Sequence, residues 1–125
     1  ASAPKIVKNY EKLRPAEENL TSEDVYLRAR AGDEAAVRAF AEAGYYLGIG
    51  LGIVINFLNP ETIILGGGVM TTGEFLMAPA VEETRRRSYQ ASFDCCSIRK
   101  ASLGNDAGLI GAAAWAQEMV SQTAK

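Results

Sequence analysis

The 125-residue chain contains no histidine. An imidazole general base, a histidine-containing triad and every histidine-ligated metal site are therefore excluded from it. Cysteine is nearly as scarce: Cys95 and Cys96 are the only two, and they are neighbours. Disulfide frameworks need separated thiols with converging Cβ vectors, so none is implied, and a reducing cytoplasm is the expected compartment. Neither sign of charge prevails, with 13 basic residues against 15 acidic ones and a net charge of −2. That balance carries no electrostatic footprint for nucleic acid or an anionic membrane. The N-terminus lacks a basic start, an apolar run and a small-residue cleavage site, so no secretory signal is read. It also lacks an initiating Met, which makes a processed or excised piece the expectation.

What is present is ordinary globular material, 48% hydrophobic and 22% charged, in a length suited to one domain over residues 1–125. Pro4 fits the first turn of a short helix reaching about Leu13, ahead of Pro15, with a polar connector from Arg14 to Asn19. Thr21 or Ser22, with Glu23 and Asp24 behind, opens a second short helix that Gly32 stops. Asp33 caps a third, long helix whose apolar and small residues keep helical spacing from Val37 to Leu58. No charge falls between Ala43 and Pro60, so its second half is expected to be buried on several sides. A membrane span is the competing reading, but the uncharged run falls short of the ~20 apolar residues required and lacks basic flanks. A core helix closely packed at Gly44, Gly48 and Gly52 accounts for it better.

Asn59-Pro60 ends that helix. Thr62 to Leu65 then reads as a short strand buried on both faces, followed by three glycines, Gly66, Gly67 and Gly68. A helix from about Gly73 to Ser88 and a second strand from Ser97 to Ala101 complete a right-handed βαβ unit with parallel strands. Leu103-Gly104-Asn105-Asp106 leads into a last helix with Leu109, Ala113, Ala116 and Val120 on one side. Two parallel strands leave unpaired backbone edges, so part of a larger sheet is expected.

The candidate sites divide unevenly. The triple glycine serves either as a ligand loop after a buried strand, with backbone N–H groups open to a nucleotide, or as a tight strand-to-helix connection. It matches neither GxxxxGK[ST] nor GxGxxG. Arg85, Arg86 and Arg87 read as the solvated, dipole-favoured end of a helix, with Glu82 and Glu83 placed to pair with Arg86 and Arg87. Asp106 reads as a cap before a general base. Cys95 and Cys96 have no flanking feature that lowers a thiol pKa. Tyr45 and Tyr46 read as helix packing.

Taken in order, "AGDEAAVRAFAEAGYYLGIGLGIVINFLNPETIILGGGV", the Glu74 to Arg87 helix and "LGNDAGLIGAAAWA" resemble the C-terminal part of the ROK family, which comprises bacterial sugar kinases such as glucokinase and sugar-responsive repressors. The likeness covers about Ala1 to Met119 and less than half of a family member. It implies an α/β fold: a helix-rich fragment of an actin-like, ribonuclease H-like lobe with a short parallel βαβ unit and a long buried helix. It further implies that Gly66, Gly67 and Gly68 form the glycine-rich loop near the adenosine side of the nucleotide. ATP with Mg2+ and a hexose would be the ligands of the parent protein, and a homo-oligomer is expected. An N-terminal lobe or second chain would complete the sheet, and nucleic acid would be a partner only of a repressor. The family's DxGxT-type phosphate loop, its Asn-Asp pair with the catalytic Asp, and its His- and Cys-rich zinc segment are absent. No catalytic or metal-binding role therefore transfers onto a residue here, and the chain alone is expected to be inactive.

Overall fold

The computed structural model describes residues 2–15 and 19–123. The expected connector from Arg14 to Asn19 lies partly outside them. Helix α1, Ala3–Leu13, starts after Ser2 with Pro4 in its first turn, where a missing N–H costs nothing. Helix α2, Ser22–Arg30, opens with a capping box: the Thr21 hydroxyl accepts from the Asp24 N–H, and the Asp24 carboxylate accepts from the Thr21 N–H. Gly32 follows at φ +92°, a conformation that suits glycine. The Asp33 carboxylate accepts from the Ala35 N–H at 2.9 Å and so caps α3, Glu34–Leu58. Asn59, in the left-handed region at φ 46°, ends it.

Helices α1 and α2 pack on the first half of α3, and α4, Glu74–Arg87, runs along its second half. The core lies where these meet. Ile6, Tyr10, Val25, Ala36, Phe40 and Leu76 are fully or almost fully buried there. Tyr26, Phe40 and Phe75 form an aromatic trio with centroids 6.1–6.3 Å apart. The α3–α4 seam is made of small residues. A Cβ on Gly44 would come within 2.6 Å of the Leu76 carbonyl, and one on Gly48 within 2.6 Å of the Ala80 carbonyl. Glycine at these positions is thus dictated by backbone approach. The Thr84 hydroxyl donates to the Ala80 carbonyl at 2.7 Å and also lies 3.3 Å from the Gly48 carbonyl.

Strand β1, Thr62–Leu65, pairs in parallel with β2, Ser97–Lys100, in a two-stranded sheet with Thr62 opposite Ser97 and Leu65 opposite Lys100. Between them come a 3₁₀ turn over Gly68–Thr72, helix α4 and a short helix α5, Gln90–Cys95, which the sequence did not announce. A second 3₁₀ turn, Gly104–Asp106, leads into α6, Ala107–Thr123.

Two expectations need correction. Strand β1 is not buried on both faces: Leu65 packs against the core, whereas Ile64 is 68% exposed. Helix α3 is buried along one stripe only, with Tyr45, Tyr46, Ile53, Phe57 and Leu58 exposed. Tyr45 and Tyr46 meet edge-to-face at 5.4 Å on that exposed side, and Tyr45 packs against Arg87 of α4, as helix packing implies. In each case the reason is that the described residues supply a covering layer on one side only. By length and composition α3 is apolar enough to cross a membrane, and its buried stripe is the one seated on its neighbouring helices.

Candidate functional site

The glycine loop is held at both ends. Leu65 precedes it and Val69 and Met70 follow it, all packed into or against the core. The Met70 N–H donates to the Gly67 carbonyl at 3.0 Å and closes the turn. Beside it, the Ala101 N–H donates to the Leu65 carbonyl at 2.8 Å, which extends the parallel pairing one residue past the strands. The connections leaving the two strands at their carboxyl ends consequently lie side by side, the position where open α/β sheets collect ligands.

Within the loop the glycines have different reasons to be glycine. Gly67 adopts φ +100°, ψ 166°, a region that is essentially glycine-only. Among the described residues a Cβ built there would meet nothing within 4 Å, so they leave that face of the backbone open. Gly104, across the gap at φ +56°, is likewise uncovered. Gly66 differs: a Cβ on it would make ordinary contact with Ala101 at 3.5 Å.

Gly66, Gly67 and Gly68 all line a cavity of about 350 Å³ whose other walls include Ser2, Ala3, Leu47 and Leu65. On the other side, Gly66 and Gly67 face a cleft of about 160 Å³ closed by Lys100, Ala101, Ser102 and Gly104. That cleft adjoins a larger one of about 500 Å³ bounded by Ile64, Arg99, Lys100 and Leu103. Among the described residues lining the three, the charged ones are Arg99 and Lys100. The arrangement offers open backbone and positive charge to an anionic, partly apolar ligand. It offers no carboxylate for proton abstraction or Mg2+ coordination.

The remaining candidates lie elsewhere. Arg85 pairs with Glu82 at 2.9 Å, while Arg86 and Arg87 both pair with the buried Glu83. Arg85–Glu82 and Arg86–Glu83 are i,i+3 pairs, and Arg87–Glu83 keeps the expected four-residue spacing. The Arg87 guanidinium also stacks 5.7 Å from the Tyr45 centroid and donates to its hydroxyl. Asp106 ends the second 3₁₀ turn, exposed and outside the cavities. Both cysteines are free, and burial pushes the Cys96 thiol up, away from thiolate reactivity. Among the described residues no group of three or more metal-ligating side chains comes together. Lys100, not among the candidates above, stands at the end of β2, one residue short of the Ala101 end expected from the sequence.

Three known proteins frame this geometry. A glucokinase of Halalkalibacterium halodurans is 39% identical over 92 residues, which covers 74% of this chain and 28% of the relative. A xylose repressor of Bacillus subtilis is 27% identical over 99 residues, 79% of this chain and 26% of the relative. The crystal structure of a ROK family glucokinase from Streptomyces griseus in complex with glucose and AMPPNP superimposes with a TM-score of 0.70 at 28% identity, over 92% of this chain and 38% of that one. The chain thus spans little more than a quarter of the length of the curated relatives it matches here. The model of the ROK family matches residues 1–119. This helix-rich α/β chain, with its short parallel sheet and glycine loop, belongs to the ROK family.

Proposed function

We propose that residues 1–125 are the C-terminal, nucleotide-side part of an ATP-dependent hexose kinase of glucokinase type, and that Gly66, Gly67 and Gly68 are its nucleotide loop. The observation that carries this reading is Gly67: its backbone demands glycine while, among the described residues, no atom lies within 4 Å of where a side chain would begin. An open glycine face beside two strand ends suits close approach by a nucleotide. The similarity to a glucokinase, and to a glucokinase structure that holds glucose and AMPPNP, supports ATP and a hexose as the ligands.

In this reading the chain binds and positions; it does not carry out the chemistry. Phosphoryl transfer requires a carboxylate to accept the hydroxyl proton and cations to offset phosphate charge. The carboxylate and the ligands of Mg2+ come from chain outside these residues, and any structural zinc does too. The 125 residues form one unit of an actin-like lobe, inactive alone, within a cytoplasmic protein. The exposed apolar surfaces of β1, α3 and α6 are covered there by an N-terminal lobe or by a second subunit.

A second reading is the effector domain of a sugar-responsive repressor, favoured by the similarity to the xylose repressor. The complete gene product decides between them. ATP-dependent phosphorylation of glucose or another hexose is the result expected of the kinase; sugar-dependent binding to operator DNA without phosphorylation is the result that would replace it. Gly67→Val in the complete protein is expected to weaken ATP binding more than sugar binding. Unchanged ATP affinity in a folded variant would remove the nucleotide assignment.

A further inference from the structure

Lys100 is the last residue of β2, paired with Leu65, the residue that leads into the glycines. Because paired residues of neighbouring strands share a face, its side chain leaves the sheet on the side of Leu65, next to the loop. Lys100 lines the small cleft under Gly66 and Gly67. Among the described residues it has no salt-bridge or hydrogen-bond partner. Arg99, the other cation nearby, is on the opposite face beside Ile64, and its Nε donates to the Ser97 hydroxyl at 2.9 Å.

A lysine here has an alternative that costs nothing, which is to remain a solvated surface charge. The cleft argues for more. Its other walls are Gly66, Gly67, Met70, Ala101, Ser102 and Gly104, two of them glycines with left-handed backbone and no covering atom. Such a wall supplies backbone dipoles and a hydroxyl but no counter-charge, while a nucleotide's phosphates bring negative charge that needs neutralising. The ammonium is the compact point charge that suits a phosphate oxygen.

We propose that Lys100 is the residue of this chain that contacts the phosphates of the bound nucleotide. The proposal rests on the nucleotide reading given above and adds the group that separates nucleotide from nucleoside. The test is calorimetric binding of ATP, AMP and adenosine to the complete gene product and to its Lys100→Met and Lys100→Arg variants. Lys100→Met is expected to lose about tenfold in affinity for ATP and AMP, as removal of one charge-assisted contact implies, and to leave adenosine unchanged. Lys100→Arg is expected to recover most of the loss. Lys100→Met with wild-type ATP affinity, alongside a Gly67→Val variant that has lost it, would overturn the role of Lys100 and leave the nucleotide loop standing. An equal loss for adenosine would overturn it too, by showing a structural effect. Absence of ATP binding to the wild-type protein would overturn both readings.

Discussion

Asp33 shows how much one residue holds in this fold. Its carboxylate caps α3 and also accepts a hydrogen bond from the Tyr10 hydroxyl at 2.9 Å, which ties α1 to α3. Arg28 of α2 completes the group by donating to the same hydroxyl at 3.0 Å. Desolvation opposes its ionisation, but the bonds from Tyr10 and the Ala35 N–H and the nearby Arg14 outweigh it and hold the carboxyl below the usual range. Asp24 is also held low, chiefly by its hydrogen bonds with Thr21. A carboxylate whose pKa is depressed on folding contributes stability that is present above its unfolded pKa and lost as pH falls through the folded one. Denaturant midpoints of the complete protein are therefore expected to hold near neutral pH and to fall below about pH 4. Asp33→Asn is expected to lower the neutral value and flatten the acid limb; an acid limb as steep as wild type would show that Asp33 is not coupled to folding. Gly67 belongs to the same scale: Gly67→Ala should cost roughly 1–3 kcal/mol through backbone strain alone, since no packed atom opposes its methyl group. A thermal melt unchanged by that substitution would contradict the glycine-only conformation.

At the scale of elements, the seam between α3 and α4 is close enough that Gly44 and Gly48 have no room for a Cβ. Gly48→Ala would drive a methyl group into the Ala80 carbonyl and the Glu83 side chain, and is expected to destabilise by roughly 1–3 kcal/mol in chemical denaturation. Gly50→Ala is the control: a Cβ there meets nothing, and the helix propensity of alanine should make it neutral or stabilising. Equal effects at the two positions would mean that the seam does not form as described. Asn56 locks the far end of the pair, donating to the Arg87 carbonyl at 2.8 Å and accepting from the Tyr89 N–H at 2.9 Å. Most of these elements were legible beforehand because their signals are local: Pro4, the Thr21–Asp24 pair, the Asp33 cap, Asn59-Pro60 and the short apolar run of β1. Helix α5 was not, since six residues, Gln90–Cys95, give too few turns for an apolar period to declare itself. The stripe of α3 that is buried was not legible either. A segment apolar all round carries no phase, and only the position of α4 selects Gly44, Gly48, Leu51, Gly52 and Ile55.

At the scale of the molecule, the described residues leave large apolar side chains exposed. Phe57 is 85% exposed on α3, and α6 presents Leu109, Trp115, Met119 and Val120 to solvent. Exposed apolar surface of this kind drives association. The isolated 125-residue chain is expected to self-associate on sedimentation and to bind a hydrophobic dye, whereas the complete protein should do neither through these faces. A monodisperse, dye-silent monomer of the isolated chain would count against the reading that these surfaces are meant to be covered.

Local chemistry alone settled the longer helices, both strands, the caps and the place of the glycines, because each rests on backbone chemistry within a few residues. The sequence also determined what is absent, since no fold can supply an imidazole the chain does not contain. Long-range packing, by contrast, gives each glycine its reason: Gly44 and Gly48 yield to a neighbouring helix, while Gly67 faces space that the described residues leave open. It alone brought Lys100 beside a loop more than thirty positions away, because strand register is a contact between distant parts of the chain and leaves no local mark.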